Sequence, residues 1–210
     1  MKLHGFFRST ASWRVRIACA LKGVSLDHQS YKLRRGDQRS DAYLALNPQG
    51  LVPALELDDG TVLTQSLAII EWLEETIPEP HLLPSDPIAR AKVRAFALAI
   101  AADIHPVQNL KVLFALAGHG LDEAAVNGWA ATVITEGLGA CEKLIADQDG
   151  PYCFGDTVGL ADICLVPQIG NAKRFGVDLA AFPKLMAVDA ACAQLPAFAD
   201  AVPGRQADAE

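Results

Sequence analysis

A proline-rich segment divides the sequence into two parts that differ in patterning. Residues 77–87 (IPEPHLLPSDP) contain four prolines, and proline interrupts helices and inner strands because it has no backbone N–H. Short strand-like stretches alternate with helical patterns before this segment, whereas only helical spacing follows it. The sequence therefore predicts an α/β domain at residues 1–80 and an all-helical domain at residues 88–210, with residues 77–87 as the linker.

The first part predicts the element order β-α-β-α-β-β-α. The predicted strands are residues 2–7, 26–32, 52–57 and 61–64, and the predicted helices are residues 12–22, 37–46 and 66–76. Asp58-Asp59-Gly60 is a strong hairpin signal between the last two strands, and Ser66 is the predicted N-cap of the third helix. A βαβ unit pairs its strands in parallel and a hairpin pairs them antiparallel, so the order predicts a mixed sheet.

The second part shows helical spacing of apolar residues throughout. The predicted helices are residues 88–117, 122–147, 160–174 and 184–195. Pro106 is predicted to kink the first of them, and no strand is predicted after residue 87. The tail from Pro203 is predicted to fray.

Charge and composition narrow the classes of function. The net charge of −7 argues against a general nucleic-acid-binding protein. Residues 1–40 nevertheless hold nine Lys/Arg against two Asp, which suits a small anionic ligand. A solvated surface is the alternative explanation for Lys32, Arg34 and Arg35.

The chain has no pattern of a membrane or exported protein. No apolar run reaches the roughly 18 residues of a membrane span, and arginines interrupt the N-terminal stretch where a signal peptide is apolar. The five cysteines form no CxxC pair and no histidine stands at metal-ligand spacing from them, so no metal site is predicted. Their scattered placement predicts a reducing compartment, the cytoplasm, and a catalytic cysteine is not favoured.

A run of hydroxyl residues stands where the first strand gives way to the first helix. Ser9, Thr10 and Ser12 occupy this junction. Free N–H groups at a helix start favour an anion, and a hydroxyl there can donate a hydrogen bond to a thiolate and lower the pKa of that thiol. The same residues can simply cap the helix, and capping is the better interpretation of this segment on its own.

Two further segments extend the pattern. Val52-Pro53, at the end of NPQGLVP, is a candidate cis peptide that would present the Val52 backbone to an extended peptide, with a simple turn as the alternative. Gln65-Ser66 begins a helix whose N-terminus suits a carboxylate. Together the three features fit a short anionic peptide that carries a thiol.

The stretch RSTASWRVRIA at residues 8–18 resembles the signature of zeta-class glutathione transferases, usually S-S-x-S-x-R-V-R-I-A-L. The resemblance continues through ALNPQGLVPAL, TQSLAIIEWLEE, IHPVQNL, FGDTVGLADICLVPQ and NAKRFGVDL, so it covers nearly the whole chain. Members of this family include maleylacetoacetate and maleylpyruvate isomerases. The resemblance implies a thioredoxin-like domain followed by a helical domain, glutathione as cofactor, a small dianionic substrate and a homodimer.

The resemblance also implies the residues of the site. The catalytic residues would be Ser9, nearest the glutathione sulfur, with Arg8 and Arg174 on the substrate carboxylates; the residues alone favour a surface salt bridge for Arg174. The implied glutathione-binding residues are Ser9, Thr10, Ser12, Gln38, Val52, Pro53, Gln65, Ser66, His105, Asn109 and Lys111.

Two positions depart from the family pattern. Ala11 stands where the family often has a cysteine, and Gly159 stands where it usually has Ser or Thr, three residues before Asp162. The first departure leaves glutathione as the nucleophile, and the second leaves Asp162 able to support the start of its helix. The sequence thus predicts a glutathione-dependent cis–trans isomerase of a maleyl diketo acid. The alternatives are a glutathione transferase or peroxidase acting on small electrophiles, a non-catalytic binding module, and a reductive dehalogenase, against which Ala11 argues.

Overall fold

The computed structural model describes residues 1–209, which form two compact units. The first unit consists of Met1–His81 together with residues 194–209, and the second of Leu82–Ala193. In chain order the elements are β1 (Lys2–Gly5), α1 (Thr10–Leu21), β2 (Asp27–Ser30), α2 (Asp41–Leu46), β3 (Ala54–Glu56), β4 (Val62–Thr64), α3 (Ser66–Thr76), α4 (Pro87–Leu98), α5 (Leu110–Gly118), α6 (Glu123–Leu144), α7 (Leu160–Arg174), α8 (Pro183–Cys192) and α9 (Pro196–Ala199).

The first unit contains the predicted mixed sheet. The strand order is β2-β1-β3-β4, in which β1 and β2 are parallel and the other two pairs are antiparallel. The hairpin turns at Gly60, whose φ of 86° lies in the region that favours glycine. Leu3 and Leu55 pair across β1 and β3, and both are fully buried. The predicted element order β-α-β-α-β-β-α is confirmed.

The C-terminal segment belongs with the first unit, which differs from the predicted placement of all residues after the linker in the helical domain. Arg16, buried in α1, donates hydrogen bonds to the carbonyl of Ala201 from Nε at 3.2 Å and from Nη2 at 3.0 Å. Phe198 of α9 is also buried. The tail after Pro203, predicted to fray, instead forms a 3-10 turn, and Asp208 accepts a hydrogen bond from the backbone of Phe7.

The second unit is helical, and apart from one isolated bridge between Tyr152 and Gly155 no strand occurs between residues 88 and 209. The predicted single helix over residues 88–117 was wrong. The α4 helix continues as a π-helical segment, Ala99–Ile104, and α5 begins only after Asn109. Pro106 has no N–H with which to continue the helix, so the chain turns there instead of kinking.

The α7 helix spans residues 160–174, as predicted. Asp162 supports its start by accepting hydrogen bonds from the N–H groups of Gly159 and Cys153, each at 2.8 Å. A Cβ atom at Gly159 would lie 2.7 Å from the carbonyl oxygen of Leu82. Close backbone packing thus explains why glycine stands at this cap. Among the described residues, no helix has the length and apolar character needed to cross a membrane.

Candidate active site

Ser9 occupies the N-cap of α1. Its Oγ accepts a hydrogen bond from the N–H of Ser12 at 3.2 Å, and its own N–H donates to the carbonyl of Phe6 at 3.0 Å. A hydroxyl carries one proton and two acceptor lone pairs, so the capping bond leaves the Ser9 proton available. Ser9 is partly exposed. Capping and donation to an external anion, which the sequence presented as alternatives, are therefore compatible at this residue.

The other two hydroxyls of the loop are less accessible. Thr10 is buried at the first position of α1, and Ser12 is fully buried. The Ser12 Oγ would lie 3.1 Å from a Cβ atom at Gly5, which places it beneath the end of β1. Ser12 therefore packs in the interior against the end of β1, whereas Ser9 presents the most accessible hydroxyl of the three.

Arg8 lies between β1 and Ser9 and is exposed. Its guanidinium carbon is 5.6 Å from the ring centroid of Phe7 and 6.0 Å from that of Phe6. The two rings contact each other edge to face at 4.6 Å. This cation–π packing restricts Arg8 while leaving its charge in reach of solvent.

Hydrogen bonds to a single carbonyl fix the turn before β3. The Leu51 carbonyl accepts from Tyr43 Oη at 2.6 Å and from Asn47 Nδ2 at 2.7 Å. The Val52-Pro53 peptide bond that follows is cis, as predicted. Ladder pairing of β3 begins only at Ala54, two residues beyond Val52.

The start of α3 has an unusual backbone. Gln65 is its N-cap, with φ of 68°, and is the only non-glycine residue among residues 1–209 with a positive φ. Such a conformation costs about 1–3 kcal/mol and persists where its surroundings enforce it, most often at functional sites. The predicted N-cap, Ser66, was wrong because that residue is the first of the helix. Its buried Oγ accepts a hydrogen bond from Arg14 Nη1 at 3.4 Å.

Side-chain contacts join three of the loops of this unit. Gln65 Nε2 donates to Gln49 Oε1 at 2.8 Å, and Arg39 Nη1 donates to the Gln49 carbonyl at 3.3 Å. The neighbouring Gln38 donates from Nε2 to the Leu33 carbonyl at 3.3 Å, while its buried Oε1 has no hydrogen-bond partner among the described residues. The structure thus brings Gln65 and the segment that carries Gln38 together around Gln49.

The remaining predicted residues lie in the second unit. Asn109 Nδ2 donates to His105 Nε2 at 3.2 Å in the turn before α5, and Lys111 is exposed in the first turn of that helix. Arg174, the last residue of α7, is exposed, and its guanidinium carbon lies 4.9 Å from the centroid of the Phe175 ring.

One hydrogen bond ties the turn before α5 to α7. Asn171 Nδ2 donates to Gln108 Oε1 at 2.7 Å, one helical turn before Arg174. Gln108 itself is buried. The bond therefore holds the segment that carries His105 and Asn109 against the helix that carries Arg174.

No cysteine of the chain has the environment of a nucleophile. All five are buried and unpaired in disulfides. Burial raises the pKa of Cys19 and of Cys141 to about 12, and it also raises the pKa of Cys153 and of Cys192. A neutral buried thiol reacts poorly, so thiol chemistry in this protein requires a thiol carried by a ligand.

Sequence reasoning missed the buried polar residues that hydrogen-bond to the segments carrying the candidate site residues. Arg14 is 1% exposed and contacts Ser66, and Asn47 and Gln108 are both 2% exposed. The arginines inside the apolar stretch WRVRIACAL were the available signal, because a charged residue on the buried face of a helix requires partners.

Comparison with known proteins agrees with this geometry. The profile of the glutathione S-transferase N-terminal domain matches residues 8–76, and that of the glutathione S-transferase C-terminal domain matches residues 71–204. The chain belongs to the glutathione S-transferase family. The two profiles together cover the chain from Arg8 to Gly204, and the thioredoxin-like fold predicted for the first domain is confirmed.

The similar proteins include isomerases, one of which is described as a zeta-class member of this family. The chain is 51% identical to the maleylacetoacetate isomerase of Pseudomonas aeruginosa, over 99% of this chain and 98% of the relative. A holo structure of a maleylpyruvate isomerase, described as a bacterial zeta-class glutathione S-transferase, has a TM-score of 0.97 at 49% identity, and both chains are covered completely. The maleylacetoacetate isomerase of Methylobacterium extorquens AM1, solved with bound malonate and glutathione, has a TM-score of 0.96 at 39% identity, again with complete coverage of both chains.

Proposed function

We propose that this chain is a glutathione-dependent cis–trans isomerase that converts a maleyl diketo acid to its fumaryl isomer. The observation that carries the proposal is the geometry of Ser9, which caps α1 with its lone pair and keeps its proton available to an anion. The family membership, the names of the relatives and the buried state of every cysteine support it.

The residues of the first unit fit glutathione in three places. The hydroxyl of Ser9 suits the thiolate, and the backbone of Val52, just outside the β3 ladder, suits the extended backbone of a peptide. The start of α3, with the constrained Gln65, suits the γ-glutamyl carboxylate because unpaired N–H groups and the helix dipole both favour an anion there.

Glutathione held by these residues would supply a nucleophilic thiolate, whose reversible addition to the carbon–carbon double bond would permit the cis–trans change and regenerate the cofactor. Ser9 donates a hydrogen bond that favours the thiolate over the thiol. Arg8 and Arg174 pair with the carboxylates of the substrate and stabilise the negative charge that develops on it. The cycle consumes no cofactor and is redox-neutral.

The substrate, location and assembly complete the proposal. Maleylacetoacetate and maleylpyruvate are the two candidate substrates, and each is a dianion with one carboxylate on the cis double bond and a second at the far end of the chain, which suits two arginines. Five cysteines kept as free thiols suit the reducing cytoplasm. Resemblance to the zeta class supports a homodimer.

The decisive experiment follows the isomerisation of maleylpyruvate and of maleylacetoacetate by ultraviolet absorbance. Turnover is expected with glutathione and not without it, and the ratio of the two kcat/KM values identifies the preferred substrate. S-Methylglutathione, which lacks a nucleophilic thiol, is the control and should not support turnover. Conjugation of a generic electrophile without isomerisation of either acid would instead establish a transferase.

Arg174→Ala is expected to lower kcat/KM for the dianionic substrate roughly 10- to 100-fold, the value of one or more charge-assisted hydrogen bonds. Most of the loss should appear in KM for the acid, while KM for glutathione stays nearly constant. Lys173→Ala is the matched control, since it removes the adjacent exposed charge, which pairs with Asp189 at 2.7 Å. Equal losses in the two variants would exclude a specific role for Arg174.

A further inference from the structure

The carboxylate of Asp208 joins the C-terminal tail to the turn after β1 and to the end of β2. Its Oδ2 accepts a hydrogen bond from the N–H of Phe7 at 3.0 Å and a second, short one from Ser30 Oγ. Its Oδ1 lies 3.7 Å from Nδ1 of His28. The side chain of Asp208 is only 15% exposed.

Arg16 holds the same residue, Phe7, from the other side of its backbone. Its Nη2 donates to the Phe7 carbonyl at 2.9 Å, and the same guanidinium binds the carbonyl of Ala201 in the tail. Burial lowers the pKa of Arg16 to about 10, with the charge of Asp208 opposing that shift, so Arg16 remains a cation at neutral pH. Both backbone polar groups of Phe7 are therefore bound by charged side chains.

The restraint on Phe7 is transmitted directly to the proposed catalytic residues. Arg8 and Ser9 follow Phe7 without an intervening residue, and the guanidinium of Arg8 packs over the Phe7 ring. The N–H of Ser9 binds the carbonyl of Phe6, which closes a turn around Phe7 and Arg8. A shift of the Phe7 backbone would move the arginine and the hydroxyl together.

We infer that Asp208 is a positioning residue that holds the Arg8–Ser9 loop in its working geometry by way of Phe7. The inference rests on the proposed function in one respect, namely that Ser9 and Arg8 act on bound glutathione and substrate. The turn after β1 is preorganised because both backbone groups of Phe7 are held, and misplacement of reacting groups by about 1 Å can cost roughly 100-fold in rate.

The test compares Asp208→Ala and Asp208→Asn with Asp200→Ala. Asparagine keeps an oxygen that can accept from Phe7 N–H but carries no charge. Asp200 is an exposed carboxylate of the same tail that pairs with Arg205, so its removal changes the tail without touching Phe7. Three quantities are measured: kcat and KM for isomerisation, the pKa of the bound glutathione thiol by ultraviolet titration, and amide hydrogen exchange at Phe7–Thr10 by NMR without ligand.

Asp208→Ala is expected to lower kcat/KM about tenfold or more, to raise the pKa of the bound thiol and to speed exchange at Phe7–Thr10. Asp208→Asn should recover most of the activity, and Asp200→Ala should resemble the wild type. Unchanged exchange at Phe7–Thr10 in Asp208→Ala would overturn the inference even if activity fell. If Asp208→Ala does not fold, Asp208→Glu takes its place, because the longer side chain keeps the charge but displaces the carboxylate from Phe7 N–H. Slower turnover together with faster exchange at Phe7–Thr10 in that variant supports the inference, and wild-type values of both overturn it.

Different experimental results would contradict the proposed function and this inference. A wild-type protein that binds no glutathione would contradict the proposed function. The exchange measurement uses the ligand-free protein, so it still decides whether Asp208 holds the loop.

Discussion

Ser9→Ala is expected to lower kcat/KM for isomerisation about 100-fold, because loss of one preorganised donor to a reacting anion costs about 10²–10³ in rate. The hydroxyl whose proton remains available after capping is removed, so the pKa of the bound glutathione thiol should rise and less thiolate should be present at neutral pH. Steady-state kinetics and ultraviolet titration of the bound thiol measure the two effects. Glutathione should still bind, since the backbone of Val52 and the start of α3 are also proposed to hold it.

Loss of the cap must be separated from loss of the donor. Ser9→Ala also leaves the N–H of Ser12 without its capping partner, which costs about 1 kcal/mol of stability. Asp122→Ala is the matched control, because Asp122 caps α6 through a 2.8 Å bond to the N–H of Ala125. It should lose similar stability and keep full activity.

Two further substitutions at Ser9 complete the comparison. Ser9→Gly should be as inactive as Ser9→Ala although glycine is a tolerable cap, and Ser9→Thr should retain much of the activity because it keeps a hydroxyl. Activity that follows stability across all four variants would contradict a catalytic role for Ser9.

The element order was predictable because the signals for it are local. The Asp58-Asp59-Gly60 turn and the alternation on either side of it define the β3–β4 hairpin without information from the rest of the chain. The helix over residues 88–117 failed for the opposite reason. Helical spacing continues through Ile104, but the wider turn, in which His105 N–H bonds to the Ile100 carbonyl, depends on packing that periodicity does not contain.

The site shows the same division between local and distant information. The hydroxyl at the start of α1 is a local feature, and sequence reasoning found both of its possible roles. Ser66 contacts Arg14 across 52 residues, and Phe7 contacts Asp208 of the tail across 201 residues. Contacts of this kind have no signature in spacing or composition.

Lys22 is a further residue whose environment depends on distant contacts. It lies at the end of the first helix, where a lysine is ordinarily solvated. Its side chain is instead 0% exposed, and Nζ donates to Glu74 Oε2 at 2.7 Å and to the carbonyls of Pro78 and Pro80 at 3.0 and 2.7 Å. Three donor protons thus meet three acceptors. The ammonium fastens the segment after α3 to the end of α1.

Lys22→Met is expected to lower the free energy of unfolding by about 3–5 kcal/mol, because the substitution leaves the Glu74 carboxylate buried without its lysine and two carbonyls without their donor. Urea unfolding followed by circular dichroism measures the loss. Lys173→Met is the matched control, since its pair with Asp189 is of the same length but Lys173 is exposed, and its loss should be at most about 1 kcal/mol.

The double variant Lys22→Met/Glu74→Leu distinguishes the two sources of the loss. If the loss comes mainly from the Glu74 carboxylate, which then keeps His81 Nδ1 at 3.3 Å but not the lysine, removing that carboxylate should restore a large part of the stability, because an apolar pair can replace a buried ion pair at little cost. If the carbonyls of Pro78 and Pro80 dominate, the double variant should remain as unstable as Lys22→Met. A loss below about 1 kcal/mol in Lys22→Met itself would mean that solvent reaches the ammonium and that the contacts of Lys22 contribute no more than a surface pair.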